Sequence, residues 1–259
     1  MMKKLSAIVL THNSGEMIKI VISQLDKVAD EIIIVDDNSD DDTIELVKKT
    51  TKKLKIIKHK LTNHGEQRNI GYQQATGDWI AWVDDDEIWD DTLVEEVMKI
   101  KTNDGYGYDG FEFLFKTPVL GNVIEDEWHM RLFRRGQGKN TPAFHTTVEM
   151  KPASKIKRLK RGHVLHLTWQ GVELWLKKHI FYSKMDADSY IERGLNVNPW
   201  KMIGMFFFVF FKRLRLARFG ISGIVWAFAA STSWLFKACY LVESRHKKRI
   251  HKITKNGHE

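Results

Sequence analysis

The chain of 259 residues contains one cysteine, Cys239. A single thiol excludes internal disulfides and any cysteine-built zinc site, and it suits a reducing compartment. Glycine-built phosphate cradles are absent as well. No G-x-x-x-x-G-K-[ST] occurs, and GQGKNT (136–141) lacks the third glycine of a dinucleotide fingerprint. The acidic stretch DDNSDDD (36–42) opens like an EF-hand loop, which needs Gly at its sixth position and Glu at its twelfth. Counting from Asp36 places Asp41 and Val47 there, and counting from Asp37 places Asp42 and Lys48, so both registers fail. Internal repeats are missing. MMKKLSAIVLTHN (1–13) imitates a secretory signal, but its apolar run from Leu5 to Leu10 is short and no small-residue cleavage site follows, so it reads as a buried strand.

What is present begins with enough apolar matter for a core: 43% of residues are hydrophobic, which excludes wholesale disorder. The length fits one large α/β domain or one domain with a substantial appendage. The net charge of +8 hides an asymmetry, since residues 1–150 carry 19 basic against 27 acidic side chains and residues 151–259 carry 22 against 6. An acidic front is suited to cations, and a basic rear attracts anionic partners.

Over the first hundred residues strand and helix patterns alternate. LSAIVLTHN (5–13), EIIIVDDNS (31–39), LKIIKHK (54–60) and WIAWVDD (79–85) are apolar runs, most of them ending in polar or acidic groups. Between them lie helical patterns. In residues 14–29, Met17, Val21, Leu25 and Val28 recur at helical spacing. Residues 43–53 form a second helix, capped by Asp41, Asp42 or Thr43, and residues 66–77 a third that Gly77 closes. A fourth helix starts near Thr92, where T-L-V-E makes a capping box. Continuous apolar strands separated by amphipathic helices predict a mostly parallel sheet covered on both faces. Ligands of such sheets bind beyond the carboxyl ends of the strands, where THN, DDNSDDD and DDDE converge. From about residue 105 the pattern turns to hairpins, and Gln170 to Arg193 is helical.

The stretch WVDDDEIW (82–89) raises the sharpest question, because adjacent carboxylates disfavour one another's ionisation. An ordinary polar turn would use Asn, Gly or Ser. A solvated strand end, or the acidic start of a helix, is the plain explanation. The alternative is a hard cation, Mg²⁺ or Mn²⁺, which offsets the repulsion and binds through one or two carboxylates plus substrate phosphates. Without a glycine cradle, a nucleotide diphosphate needs such an ion.

In order and spacing, LSAIVLTHN, EIIIVDDNSDDDT and GEQRNIGYQQATGDWIAWVDDDE resemble the family-two GT-A glycosyltransferases over roughly residues 4–100. RLFRR (131–135) and the basic, aromatic-rich end look more loosely like the lipopolysaccharide-core glucosyltransferase branch. The resemblance implies a Rossmann-like GT-A fold and inverting, metal-dependent transfer from a nucleotide-sugar, a UDP-sugar by default. It assigns Thr11 and Asn13 to the nucleotide pocket, Asp37 to the base and Arg68 to fixing the nucleotide and the Asp cluster. Asp84 would contact the ribose and Asp86 the metal, with Asp84 and His166 as further metal contacts; Asp85, in the same nucleotide-sugar stretch, reads as a bystander between them. His145 is a second histidine candidate, and Arg131 and Arg134 would neutralise phosphate or an anionic acceptor. For the general base, Asp126 in IEDEW (124–128) is favoured over Glu149 in FHTTVEM (144–150), where the V-H-E motif of the core branch lacks its histidine. The Q-x-x-R-W motif of processive synthases is missing, which points to single transfers.

These readings divide the chain into a catalytic domain, 1–168, and a helical membrane-associating region, 169–259. Within the first, residues 1–100 form the nucleotide-sugar half and 101–168 the acceptor half. MIGMFFFVFF (202–211) is too short to span a bilayer, and FGISGIVWAFAASTSWLF (219–236) is rich in small and hydroxyl residues. Cations between and after these segments favour a helix in the headgroup region of an anionic membrane over a span or a core helix. A lipid-linked glycan acceptor on the cytoplasmic face of the cell membrane would make that attachment useful. Two rivals remain. Nucleic-acid binding fits the net charge but leaves the acidic strand ends unexplained, and a metal-dependent phosphohydrolase would turn over without an acceptor.

Overall fold

A computed structural model describes residues 2–140, 147–169 and 171–256, with backbone alone for 125, 126 and 248–256. The chain forms two compact units: Met1–Pro118 with Glu125–Thr168, and Val119–Ile124 with Trp169–Glu259.

In the first unit, strands β1 (Leu5–Thr11), β2 (Glu31–Asp36), β3 (Leu54–Lys58) and β4 (Trp79–Asp84) run parallel in the order β3-β2-β1-β4. Side chains of a strand alternate between faces, and here both faces are apolar. Leu5, Ala7 and Val9 of β1 enter one core with Ile18, Ile22 and Leu25 of α1 (Met17–Asp26), Val47 of α2 (Thr43–Thr50) and residues of α4 (Asp91–Thr102). Ile8 and Leu10 enter the other, which α3 (His64–Gln73) covers. Helices therefore lie on both faces, as continuous apolar strands require.

The sheet continues with later strands, β5 (Glu87–Trp89), β6 (Gly110–Val119), β7 (Asn122–Arg134) and β10 (Ile156–His166), to the full order β3-β2-β1-β4-β7-β6-β10-β5. β7 joins β4 antiparallel, and β10 runs parallel to β6 and antiparallel to β5. A two-stranded ribbon pairs β8 (Gly138–Asn140) with β9 (Val148–Met150).

Two local expectations are corrected. Helix α4 starts near Thr92 as expected, at Asp91, but the T-L-V-E box does not cap it. Asp90 is the N-cap and accepts the Leu93 N–H at 2.7 Å, because the chain stays extended through β5 until Asp90, and Asp caps as well as Thr. Gly77 does not close α3, which ends at Gln73. Its role is close approach: a Cβ there would sit 2.7 Å from Ser6 N, and its own N–H donates to Ser6 Oγ at 2.8 Å. For α2, Asp41 is the carboxylate that accepts the Thr43 N–H, at 3.0 Å.

The second unit contains α5 (Val172–Glu192), α6 (Pro199–Arg213), α7 (Ile221–Ala229) and α8 (Thr232–Asn256). Trp175, Leu216 and Trp226 pack with Val119 and Ile124 in one small core, and Ala187, Met202 and Leu241 form another. Lys237 of α8 and Asp186 of α5 pair at 2.6 Å, both largely buried.

Two predictions follow from close contacts in the first unit. At Gly71 a Cβ would meet Ile8 Cγ2 at 2.5 Å and Val35 Cγ2 at 3.1 Å, so Gly71→Ala should cost about 1–3 kcal/mol in urea unfolding through overpacking. Glu31 accepts from Ser6 Oγ and from Thr76 N–H and Oγ1–H at 2.6 and 2.8 Å. Burial pushes its carboxyl up, but these bonds outweigh it and hold the group below its usual range. A depressed folded value stabilises the protein above the unfolded value and is lost as pH falls through the folded one. Glu31→Gln should therefore lower stability by roughly 1–3 kcal/mol near neutrality, and its urea midpoint should converge on that of the wild type on acidification.

Candidate active site

Parallel pairing sets Thr11 opposite Asp36 and Leu10 opposite Asp84, so the tips of β1, β2 and β4 lie side by side. Asp84 is the last residue of β4, Asp85 and Asp86 make the turn, and Glu87 opens β5. Arg68, buried in α3, places one guanidinium nitrogen 2.6 and 2.7 Å from the two Asp84 oxygens, with its charge 5.9 Å over the Trp82 ring. Arg131 stands 3.7 Å from Asp84 on the other side. Burial alone would push the Asp84 carboxyl up; Arg68, Arg131 and His64 override it and hold the group well below the usual carboxylate range. Glu87 is fully buried and receives Arg131 Nε at 3.1 Å and Nη2 at 2.5 Å. Burial raises its carboxyl against the pull of Arg131, whose guanidinium also lies 4.9 Å over Phe115.

Asp85 is tied to the loop after β1. It accepts the His12 N–H at 3.1 Å and the Ser14 hydroxyl. Burial, then the charge of Asp86, push its carboxyl up to about 6 against these hydrogen bonds. Ser14 Oγ also lies 2.6 Å from Thr11 Oγ1. Asn13, at φ 49°, donates to Asp40 Oδ1 at 2.7 Å and accepts the Asp40 N–H at 3.0 Å. Asp37 donates its N–H to the Thr11 carbonyl at 2.9 Å and accepts the Leu61 N–H at 2.7 Å, while the His12 ring lies 2.8 Å from its carbonyl. The loops that follow β1, β2 and β3 are thus laced together beside the β4 tip.

The Asp86 carbonyl accepts the Leu167 N–H at 2.9 Å, and its carboxylate is 3.5 Å from His166 Nε2. Burial lowers the imidazole, yet Asp86, Glu87 and Asp84 outweigh it and favour the charged ring. Among the described residues no group of three or more His, Cys, Asp or Glu side chains is gathered as a metal cage. One or two carboxylates beside a substrate diphosphate are what Mg²⁺ uses. Asp84 and Asp86 supply two carboxylates of that kind at the tip of β4.

Thr11, Asn13, Asp37, Arg68, Asp84, Asp85, Asp86 and His166 thus belong to one connected neighbourhood. Glu149 and Arg134 do not. Glu149 is exposed on β9 opposite Lys139, and among the described residues no hydrogen bond or ion pair joins it to the cluster. Arg134 lies at the opposite end of β4, bonded to Asp104 at 2.6 Å and 4.7 Å over Trp79, where it is structural. Asp126 is on β7, but its side chain lies outside the described residues, as does His145. Sequence reasoning passed over His12, Ser14 and the Glu87–Arg131 pair. Ser14 adjoins the recognised THN, whereas nothing local links Glu87 to a residue 44 positions away.

Comparison with known proteins agrees with this geometry. An uncharacterized glycosyltransferase of Rickettsia prowazekii is 23% identical over 252 residues, 88% of this chain and 84% of the relative. The GalNAc(5)-diNAcBac-PP-undecaprenol beta-1,3-glucosyltransferase of Campylobacter jejuni is 32% identical over 146 residues, 53% of this chain and 44% of that one. Among solved structures, the mannosyltransferase PcManGT from Pyrobaculum calidifontis in complex with GDP-Man and Mn2+ superimposes with a TM-score of 0.53 at 12% identity, over 93% of this chain and 88% of that one. Staphylococcus aureus TarS gives a TM-score of 0.50 at 15% identity over 88% of this chain, which spans only 54% of the longer protein. These superpositions establish the fold. Residues 6–165 match the profile of Glycosyl transferase family 2, and with most of its length inside that match the chain belongs to this family and is a glycosyltransferase of the GT-A fold.

Proposed function

We propose that the protein is an inverting, divalent-metal-dependent transferase that moves a sugar from a nucleotide-sugar to a lipid-linked or lipopolysaccharide-core-type glycan acceptor. A UDP-sugar is the favoured donor and the inner face of the cell membrane the site of action. The observation that carries this reading is Asp84, held ionised by Arg68 at the tip of β4 with Asp86 beside it. The acceptor class is supported by the Campylobacter relative, whose name places its sugar on a PP-undecaprenol glycan. The metal is supported by the donor set and by the Mn2+ in the Pyrobaculum structure.

In this reading the nucleoside lies against Thr11, Asn13 and Asp37, and the rigid Asp84 carboxylate accepts from the ribose. Asp85 fixes the wall of the pocket through His12 and Ser14. Asp86, with Asp84 and His166, would hold Mg²⁺ or Mn²⁺, which neutralises charge on a departing diphosphate. Ligation by His166 requires it to release the proton that the surrounding carboxylates favour. Asp126 removes the proton of the acceptor hydroxyl as its oxygen bonds to the anomeric carbon and the bond to the diphosphate breaks. Glu149 is the second candidate for that role.

A thermal-shift screen of nucleotide-sugars with and without Mn²⁺ tests the class. One donor should raise Tm by several degrees only when Mn²⁺ is present. Asp86→Asn should abolish that shift and lower acceptor-dependent turnover by about 100-fold or more; an equal shift in the variant would overturn the assignment. For the base, Asp126→Asn should lower kcat by about 100-fold or more while leaving donor binding intact, and Glu149→Gln should turn over like the wild type. The reverse pattern would transfer the role to Glu149.

A further inference from the structure

The second unit turns apolar side chains outward on two adjacent helices. On α6, Met202 and Phe206 are buried, while Trp200, Phe207, Phe208 and Phe211 are 77%, 51%, 62% and 62% exposed. Their spacing of seven, eight and eleven residues from Trp200 keeps them on one helical stripe. On α7 the inward face is Ser222, Gly223, Trp226 and Ala227, and the outward face is Ile221, Ile224 and Phe228. The Phe228 ring lies 5.8 Å from Phe206 and 6.1 Å from Phe210, so α7 packs on the flank of α6 beside its outward stripe. Each helix is thus apolar on the side where a water-facing helix is polar. Contiguous exposed apolar surface of this kind marks an interaction site.

We propose that the outward faces of α6 and α7 seat in the headgroup–acyl boundary of an anionic membrane, parallel to its plane. Charge complementarity selects this occupant. Lys212 and Arg213 end α6, Arg215 and Arg218 lie on the turn that leads to α7, and residues 151–259 carry 22 basic against 6 acidic side chains. A basic collar around aromatic residues is the signature of an interfacial helix on anionic lipid.

The same helices argue against a span. α6 has 15 residues and α7 has 9, and at 1.5 Å per residue both fall short of a hydrocarbon core of about 30 Å. The stretch Ile221–Lys247 is long and apolar enough by composition. It is broken, however, between Ala229 and Thr232, and it contains Lys237, which is paired with Asp186 inside the helical unit. A crossing would need a continuous helix with its backbone bonds unbroken. This face gains its purpose from the lipid-linked acceptor proposed above and rests on that reading.

Sedimentation of the full chain with vesicles tests the membrane face without donor or acceptor, so its failure leaves the transfer reading standing. The wild type should pellet with phosphatidylcholine vesicles containing phosphatidylglycerol and far less with phosphatidylcholine alone. The triple variant F207S/F208S/F211S, whose fold is checked by an unchanged Tm, should bind about 100-fold more weakly. Should the triple variant lose fold, nitroxide labels answer the same question. With labels placed singly at F208C, I221C, F228C and V242C in a C239S background, the first three should all report shallow burial in one leaflet. Three results overturn the proposal: no pelleting of the wild type, unchanged pelleting of the folded triple variant, or labels at I221C and V242C in opposite leaflets. A lipid-free dimer that the triple variant dissolves, with vesicle binding unchanged, would assign the face to a second copy of the chain instead.

Discussion

Four consecutive carboxylates, Asp84 to Glu87, are confined within a single turn and the strand ends beside it, and two guanidiniums, one buried and one partly buried, answer their repulsion. Arg68 holds Asp84 from α3, and Arg131 holds Glu87 from β7 while facing Asp84 as well. An unpaired charge at these depths would cost several kcal/mol, so the pairings are a condition for this turn to exist. They also sort the acids. Asp84 and Glu87 are neutralised by protein, Asp85 is drawn into hydrogen bonds with the β1 loop, and Asp86 faces His166.

The constraint reaches into the fold. Arg68 can meet Asp84 only if α3 lies close against β1 and β2, and Gly71, one turn further on, is where the helix touches Ile8 and Val35. Arg131 can meet Glu87 only if β7 adds to the sheet beside β4, antiparallel to it. The antiparallel half of the sheet therefore finishes the electrostatics of the parallel half. It also carries Phe115, whose ring lies beneath Arg131 and edge-on to His166.

The parallel half is legible in sequence because β1, β2 and β4 are buried on both faces, which leaves runs such as SAIVL and IIIV that few other structures explain. The acidic strand tips were legible for the opposite reason, since like charges in sequence need a cause. Features built from distant pairings were not legible. Arg131 and Arg134 sit three residues apart in one basic motif, yet one ends beside the acids and the other at the far end of β4. The register of β7 decides between them, and no local pattern encodes that register. Caps were read a residue or two out for a related reason: Asp90 and Thr92 are both good caps, and pairing of β5 with β10 determines how long the chain stays extended.

The helical unit inverts the arrangement of charge and apolar surface that holds elsewhere in the chain. Its interior contains an ion pair, Lys237 with Asp186, and its exterior carries phenylalanines and a tryptophan. In water that exterior forgoes about 25 cal/mol for each Å² of apolar surface left exposed. Mutation toward polar residues at such positions is normally neutral or stabilising for a monomer in water. The outward stripes, aromatic on α6 and mixed aliphatic and aromatic on α7, are the surface that the proposed membrane face would cover. The buried ion pair is consistent with that division, because it fixes α5 against α8 from within and leaves the outer stripes of α6 and α7 available as a surface.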